Sequence, residues 1–167
     1  QSYGSAFDLV QYGQIDDQPG YELVVGCQIS QQLTRSVSVY CFREGKAQQL
    51  MNANYTRFVS CDMNTDGHSE LLVLRSGESD EDNGLAELYT YSDDGIQRSN
   101  QVRMSASAQD LKRITAGKLH GGQSAVYVAS TLGENTIVTD VFAMVDGTFT
   151  NISLSKEGGT SVQTLKN

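Results

Sequence analysis

The chain has 167 residues and a formal net charge of −8, and its Lys and Arg residues form no cluster along the sequence. This charge argues against a nucleic-acid-binding protein, because phosphate binding needs basic side chains on one face. No apolar run approaches the roughly 20 residues of a membrane-spanning helix. Composition and length predict one anionic globular domain with a sizeable core.

Short apolar runs dominate the chain, and Gly, Asp, Asn and Ser separate them, which is the pattern of many short strands. Three units of the sequence can be divided into the same four strands. The predicted strands are 8–15, 21–27, 36–43 and 47–51 in the first unit, 57–63, 70–75, 85–91 and 96–103 in the second, and 112–119, 125–131, 136–144 and 148–154 in the third.

Two landmarks recur with the same period. An Asp/Gly-rich loop precedes the second strand of each unit, at 14–25, 62–74 and 118–128, and an acid-Gly turn precedes each fourth strand. The turn glycines are Gly45, Gly95 and Gly147, spaced by 50 and 52 residues. A period of about 50 residues indicates a propeller or solenoid.

Four antiparallel strands per unit favour the propeller, in which each blade buries both faces against its neighbours. We therefore expect an all-β fold of three four-stranded antiparallel β-propeller blades in one domain, at about 7–54, 55–106 and 107–157. Small residues at matching points of the first strands, namely Gly13, Cys61 and Gly117, suit close packing near a central axis. Cys61 is accordingly expected to be a packing residue.

The other two cysteines leave two alternatives open. Cys27 and Cys41 could face each other if a hairpin forms around Thr34, which would allow a disulfide. The other interpretation is that both are free, small buried side chains, as isolated cysteines commonly are.

The middle Asp/Gly loop predicts a calcium site. It places Asp62, Asn64, Asp66 and Glu70 on alternate or nearby positions of a tight turn, and the carbonyl of His68 would complete the set. Calcium takes about 6–8 oxygen ligands, and carboxylates crowded together without a cation repel one another. The alternative is an Asx-type turn, in which these side chains accept hydrogen bonds from backbone amides.

These motifs resemble the FG-GAP/VCBS family of β-propeller repeats, which also occur in integrin α-subunit heads. The resemblance covers roughly residues 8–155 and is closest at 62–74. It implies calcium bound by an Asp-x-Asp/Asn-x-Asp-Gly-x-x-Asp loop, although Glu70 stands here where the family usually has Asp. The loops at 14–25 and 118–128 depart further from the pattern, and no metal is expected at either.

The resemblance implies a non-catalytic secreted or cell-surface module, bacterial lipoproteins included, that binds protein or carbohydrate. Its binding surface would be formed by the loops at 31–35, 76–84 and 132–135, at the end opposite the calcium loop. The alternatives are a piece of a calcium-dependent polysaccharide-degrading enzyme and a purely structural set of blades. The chain has two histidines, His68 and His120, and both are expected to be exposed turn residues.

Three blades do not close a propeller, which needs roughly 4–8. The tail at 158–167 is expected to begin another blade, so the first hypothesis is that this chain is a piece of a longer propeller. The second hypothesis is a homodimer that closes a six-bladed ring by twofold symmetry.

Overall fold

A computed structural model of the chain describes residues 5–29, 35–77, 79, 83–134 and 136–153. Three four-stranded antiparallel sheets account for nearly all regular structure in this part of the chain. The strands of each sheet lie side by side in chain order. No helix within the described ranges is long and apolar enough to cross a membrane.

The prediction of an all-β fold with three four-stranded antiparallel sheets is confirmed. Sheet 1 contains β1 (Ser5–Gly13), β2 (Glu22–Ile29), β3 (Arg35–Arg43) and β4 (Lys46–Asn54). Sheet 2 contains β5 (Arg57–Cys61), β6 (Glu70–Arg75), β7 (Leu85–Ser92) and β8 (Gly95–Arg103). Sheet 3 contains β9 (Leu111–Lys118), β10 (Ser124–Leu132), β11 (Thr136–Val145) and β12 (Thr148–Asn151).

One short element was not predicted. A 3-10 turn, Ala108–Asp110, connects sheet 2 to sheet 3, and Ser107 caps it by accepting a hydrogen bond from the Gln109 amide. The predicted last strand ends earlier than expected, at Asn151, and residue 154 lies outside the described part of the chain. The tail at 158–167 and half of the residues in the predicted binding loops, namely 31–34, 78, 80–82 and 135, also lie outside it.

The acid-Gly turns connect the third and fourth strands as predicted. Gly45 and Gly147 have φ of 73° and 75°, and the residues before them, Glu44 and Asp146, have φ of 52° and 49°. Two successive positive φ angles define the tight hairpin turn whose twist matches that of the strands. The hairpins of sheets 1 and 3 are therefore fixed by local sequence.

The sheets stack in chain order, with their first strands side by side. Strand β1 contacts β5, and β5 contacts β9, while the fourth strands β4, β8 and β12 are neighbours in the same sequence. Two apolar cores fill the spaces between the sheets. One lies between sheets 1 and 2 and includes Val24, Val37, Phe58, Leu71 and Val73; the other lies between sheets 2 and 3 and includes Leu72, Leu88, Val126, Val128 and Phe142.

Each sheet has one face turned toward the sheet before it, which we call its leading face. In sheet 2 that face carries Phe58, paired with Val73, and in sheet 1 the corresponding pair is Val10 with Val25. Phe58 is 1% exposed beneath sheet 1, whereas Val10 is 52% exposed. Tyr12, next along the same face, is 75% exposed. The described residues therefore leave Val10 and Tyr12 uncovered on the leading face of sheet 1.

The cysteines are all free, so the disulfide alternative for Cys27 and Cys41 is wrong. Cys27 lies opposite Ser36 across the β2–β3 pair, so the register does not set it against Cys41. Burial, followed by the charges of Glu70 and Asp62, raises the pKa of Cys61 to about 12. A thiol with this pKa is protonated at neutral pH, as expected of a packing residue.

Candidate functional site

The middle Asp/Gly loop, residues 62–70, follows β5 and ends at the start of β6. Its polar side chains bond within the loop. Asp62 Oδ2 accepts a hydrogen bond from the Gly67 amide over 3.0 Å, and Asn64 Oδ1 accepts one from the Asp66 amide over 2.9 Å. Thr65 has a φ of 64°, in the left-handed region that few residues other than glycine adopt. The loop thus has the geometry of an Asx-type turn.

Two more of the predicted ligands are also engaged. Asp66 Oδ1 accepts from the His68 amide over 2.7 Å, and Glu70 Oε2 accepts from the Met63 amide over 2.7 Å. Among the described residues, no three His, Cys, Asp or Glu side chains converge as a metal-binding cluster. The structure therefore brings the five predicted ligand residues onto one loop without gathering their carboxylates at one point.

Two features of this loop remain electrostatically unfavourable in its present arrangement. Asp62 Oδ1 is buried and has no hydrogen-bond partner among the described residues. Glu70 is 5% exposed, and burial raises the pKa of its carboxyl, with further contributions from the charges of Asp66 and Asp62. An oxygen-binding cation would favour the ionised form of these groups, so the chemistry of the donor set fits calcium.

An arginine side chain supplies a positive charge to the first Asp/Gly loop. Glu22 Oε2 accepts from the Ile15 amide over 2.7 Å, as Glu70 does from Met63 in the second loop. Asp16, 1% exposed, is bonded to the guanidinium of Arg43 at the end of β3. The buried carboxylate of this loop is therefore balanced by a side chain of the protein itself.

The third Asp/Gly loop is closed without acidic side chains. Ala125 stands at the position of Glu22 and Glu70, and the Lys118 ammonium donates to the Gly122 carbonyl over 3.1 Å. A backbone hydrogen bond of 2.8 Å from Leu119 to Gln123 completes the turn. The three loops thus connect the first and second strands with three different chemistries, and the third, at 119–123, is shorter than the other two.

Buried polar residues that the sequence did not reveal lie at one register position of all three sheets. The third-strand residues opposite Val25, Val73 and Val128 are Ser38, Glu87 and Asp140. Each bonds to its own fourth strand: Ser38 accepts from Asn52, Glu87 from Arg98 and Asp140 from Asn151, over 2.7–2.8 Å. These residues are candidates for structural cross-links within each sheet.

Glu87 forms an ion-pair network. Its Oε1 accepts hydrogen bonds from Arg98 and Arg75, and its Oε2 accepts one from the Tyr89 hydroxyl. Burial alone would raise the pKa of Glu87, but the bonds from Arg98 and Arg75 outweigh it and hold the pKa below its usual value. Burial and the Glu87 charge raise the pKa of Tyr89 to about 12.

A cavity of about 340 Å³ lies at the end of the sheets opposite the Asp/Gly loops. It lies where β3, β5 and β9 begin and β6 ends. Its polar lining is Arg35, Tyr55, Thr56, Arg57, Ser76 and Gln109. The predicted binding loops at 31–35 and 76–84 contribute Arg35 and Ser76, so the cavity lies at the end where a binding surface was predicted.

The histidines lie at the other end of the sheets. His68 is partly exposed, with its Nδ1 4.0 Å from Asp66 Oδ1, and His120 is exposed in the third Asp/Gly loop. Neither lines the cavity formed by the arginines.

No protein family model and no curated protein matches the chain. Solved structures similar to it include the exotype rhamnogalacturonan lyase YesX, with a TM-score of 0.62 and 12% identity over 87% of this chain and 32% of that one. The rhamnogalacturonan lyase PL11 of Bacillus licheniformis matches with a TM-score of 0.64 and 12% identity over 92% of this chain and 35% of that one. The chain therefore spans about a third of the length of these structures. At this identity the likeness concerns the fold.

Proposed function

We propose that the chain forms three consecutive blades of a β-propeller and acts as a non-catalytic, calcium-stabilised module that binds carbohydrate outside the cell or at its surface. The observation that carries the proposal is the stacking of the sheets, in which the first strands β1, β5 and β9 lie side by side. Blades arranged around a propeller axis would place their first strands side by side, so this stacking supports the proposal. The similarity to much longer solved structures supports it.

The exposed apolar residues on the leading face of sheet 1 support the proposal that a further blade precedes this sheet. Val10 and Tyr12 are exposed there, while Phe58 and Leu71 on the same face of sheet 2 are buried under sheet 1. Large exposed apolar patches mark interaction sites in soluble proteins. The occupant we propose is a preceding blade of the same kind, supplied by a longer chain.

Sedimentation of the isolated chain tests this architecture. We expect concentration-dependent self-association, and we expect Val10→Asp with Tyr12→Asp to reduce it at little cost in melting temperature, because both side chains are exposed. Ile152→Asp, at a residue that is 39% exposed, is the matched control. A discrete dimer would favour ring closure by a second copy. The proposal would be contradicted if the wild-type chain sedimented as a monodisperse monomer and the double substitution left its sedimentation unchanged.

Calcium is proposed at the middle loop, held by Asp62, Asn64, Asp66 and Glu70 with the His68 carbonyl. The buried, unpartnered Asp62 Oδ1 and the raised pKa of Glu70 support this set. The ion would supply positive charge that the loop lacks, and its role here is structural. The first loop needs no metal because Arg43 supplies its charge.

Carbohydrate is favoured over a protein partner because the cavity at the opposite end is concave and its described lining is rich in hydrogen-bonding groups. Binding of the isolated chain to an array of plant and bacterial glycans tests this proposal, with the calcium-saturated protein as probe. Specific binding to a group of related glycans is expected. Silence on the array, together with binding to a protein partner, would overturn it.

A second candidate is that the chain is part of a polysaccharide-degrading enzyme. The similarity to two rhamnogalacturonan lyases favours this class. The test is incubation of the chain, alone and within its full-length protein, with rhamnogalacturonan, followed by measurement of new chain ends. Cleavage by the full-length protein would favour this candidate, and binding without cleavage would favour the non-catalytic module.

A further inference from the structure

The described lining of the cavity at the end opposite the Asp/Gly loops carries two basic side chains. Two arginines, Arg35 and Arg57, line it, and none of its described lining residues is acidic. The chain as a whole carries a net charge of −8, so this concentration of positive charge runs against the overall balance. At physiological ionic strength charges are screened over about 8 Å, so a bound ligand would respond mainly to these local groups.

Arg57 retains most of its hydrogen-bonding capacity. Its Nη1 donates to the Thr56 carbonyl over 2.9 Å, and it forms no ion pair with a residue in the described ranges. Arg35 Nη1 lies 3.5 Å from Asp8 Oδ2, and the same oxygen accepts a 2.7 Å bond from the Tyr55 hydroxyl. Asp8 therefore orients Arg35, while the guanidinium of Arg57 has N–H groups that can donate hydrogen bonds to a ligand.

The backbone around the two arginines is fixed. The Tyr55 amide donates to the Arg35 carbonyl over 3.1 Å, and the Thr56 amide donates to the Leu74 carbonyl over 2.7 Å. The Tyr55 ring is 6% exposed and packs edge-on against Phe58, with centroids 5.0 Å apart. These contacts position the connector between β4 and β5, which supplies Tyr55 and Thr56 to the cavity lining.

We propose that this cavity binds the carboxylate of an acidic sugar, a uronate, with Arg57 as the principal anchor. The planar guanidinium matches a carboxylate with two parallel hydrogen bonds. A volume of about 340 Å³ is within the usual range for a small-ligand site. Ser76 offers a hydroxyl group beside the arginines, and Leu111 adds an apolar side chain to the cavity lining. This inference rests on the proposed carbohydrate-binding function and names its ligand class.

Calorimetric titration with trigalacturonate tests the inference, and neutral galactotriose is the matched ligand. We expect the wild-type chain to bind trigalacturonate and to bind galactotriose at least tenfold more weakly. Arg57→Gln should weaken trigalacturonate binding by about tenfold, since a hydrogen bond to a charged group is lost. Arg57→Lys keeps the positive charge but cannot form two parallel hydrogen bonds. Its affinity for trigalacturonate should therefore lie between those of the wild type and Arg57→Gln.

Lys46→Gln is the control, because it removes one positive charge from an exposed position at the other end of sheet 1. It should leave binding unchanged, and the melting temperatures of all variants should match that of the wild type. Equal weakening by Lys46→Gln, or wild-type affinity in Arg57→Gln, would overturn the uronate site. If galactotriose binds as well as trigalacturonate, the carbohydrate function stands and the uronate inference fails. If neither sugar binds and the glycan array is silent, both fail.

Discussion

Arg43 donates a hydrogen bond from its guanidinium to Oδ2 of Asp16, which lies 27 residues earlier in the chain, near the start of the first Asp/Gly loop. Arg43 is paired with Lys46 as the last pair of its hairpin, and in sheet 2 the last pair is Ser92 with Gly95. Ser92 therefore occupies the hairpin position in sheet 2 that Arg43 occupies in sheet 1. This difference explains why the second loop, and not the first, is the one proposed to need a cation.

Replacing Arg43 by Ser should destabilise the protein. Asp16 would keep its backbone hydrogen bond from the Gln18 amide but lose its only ionic partner in the described structure while remaining buried. We expect a loss of about 2 kcal/mol in the free energy of unfolding, reduced from the cost of a fully buried pair because Arg43 is 45% exposed. Urea denaturation measures it, with Lys112→Ser as an exposed control. A loss no larger than that of the control would contradict the role of Arg43.

Calcium should raise the melting temperature through the second loop. A ligand at 100 times its dissociation constant stabilises the folded state by about 2.7 kcal/mol, equivalent to roughly 5–10 °C for a chain of this size. Glu70→Gln should abolish the shift, and Asp17→Asn, at an exposed acid of the first loop, should preserve it. Thermal unfolding with calcium and with a chelator measures both. An unchanged melting temperature in the wild type would refute the site.

Ser92→Arg should make the second loop independent of calcium. The introduced guanidinium would reach the loop as Arg43 reaches Asp16, and it would compete with the ion for the same carboxylates. The expected result is a higher melting temperature in chelator and a smaller calcium shift than in the wild type. Ser92→Gln, with a long uncharged side chain, is the control. Equal behaviour of the two variants would show that side-chain length, rather than charge, is responsible.

Glu87 should make stability depend on acidic pH. Because its pKa in the folded state is below that in the unfolded state, the ionised form favours folding. This contribution is fully present above the unfolded pKa, near 4.5, and is lost as the pH falls through the lower folded value. Glu87→Gln should therefore cost about 1–3 kcal/mol at pH near 7 and progressively less below about 4. A cost that does not change with pH would contradict the ion-pair explanation.

Gly26 is required by the packing of sheet 2 on sheet 1. A Cβ at this position would lie 2.4 Å from the Tyr55 hydroxyl oxygen and 2.7 Å from Phe58 Cε1. Gly26→Ala should therefore destabilise the protein by about 1–3 kcal/mol, as overpacked cores do. Gly117→Ala, whose nearest contact would be Tyr127 at 3.3 Å, is the matched control and should change stability by less than about 1 kcal/mol. Equal costs for the two variants would show that the loss comes from the strand backbone and not from this contact.

The strands were predictable because their signals are local. Apolar runs such as β6 and the turns at Gly45 and Gly147 are determined by residues close in sequence, and all twelve strands lie within a few residues of their predicted positions. The intraloop bonds of Asp62, Asn64 and Asp66 are local as well, so the sequence of the loop is enough to predict an Asx-type turn.

The contacts that distinguish the loops and the cavity are not local. The bond between Arg43 and Asp16 joins strand ends that only the sheet brings together. The cavity combines Arg35, Arg57 and Gln109 from three separate connections, and no sequence spacing marks it. Glu87 and Asp140 are buried although acidic residues are usually exposed, and their partners on the fourth strands become evident only from the register.

The polar cross-links at Ser38, Glu87 and Asp140 bear on how three similar repeats fold without exchanging strands. Asp140 is satisfied by the amide of Asn151 and the hydroxyl of Ser105, whereas Glu87 requires the two guanidinium groups of Arg98 and Arg75. If the fourth strand of sheet 2 docked on sheet 1 instead, Glu87 would lose Arg98, and that guanidinium would lie against the Ser38 hydroxyl. Such an error carries the cost of a mismatched buried charge. Neighbouring repeats of nearly the same shape are thereby made chemically distinct, which protects the protein against the misassembly common in tandem arrays.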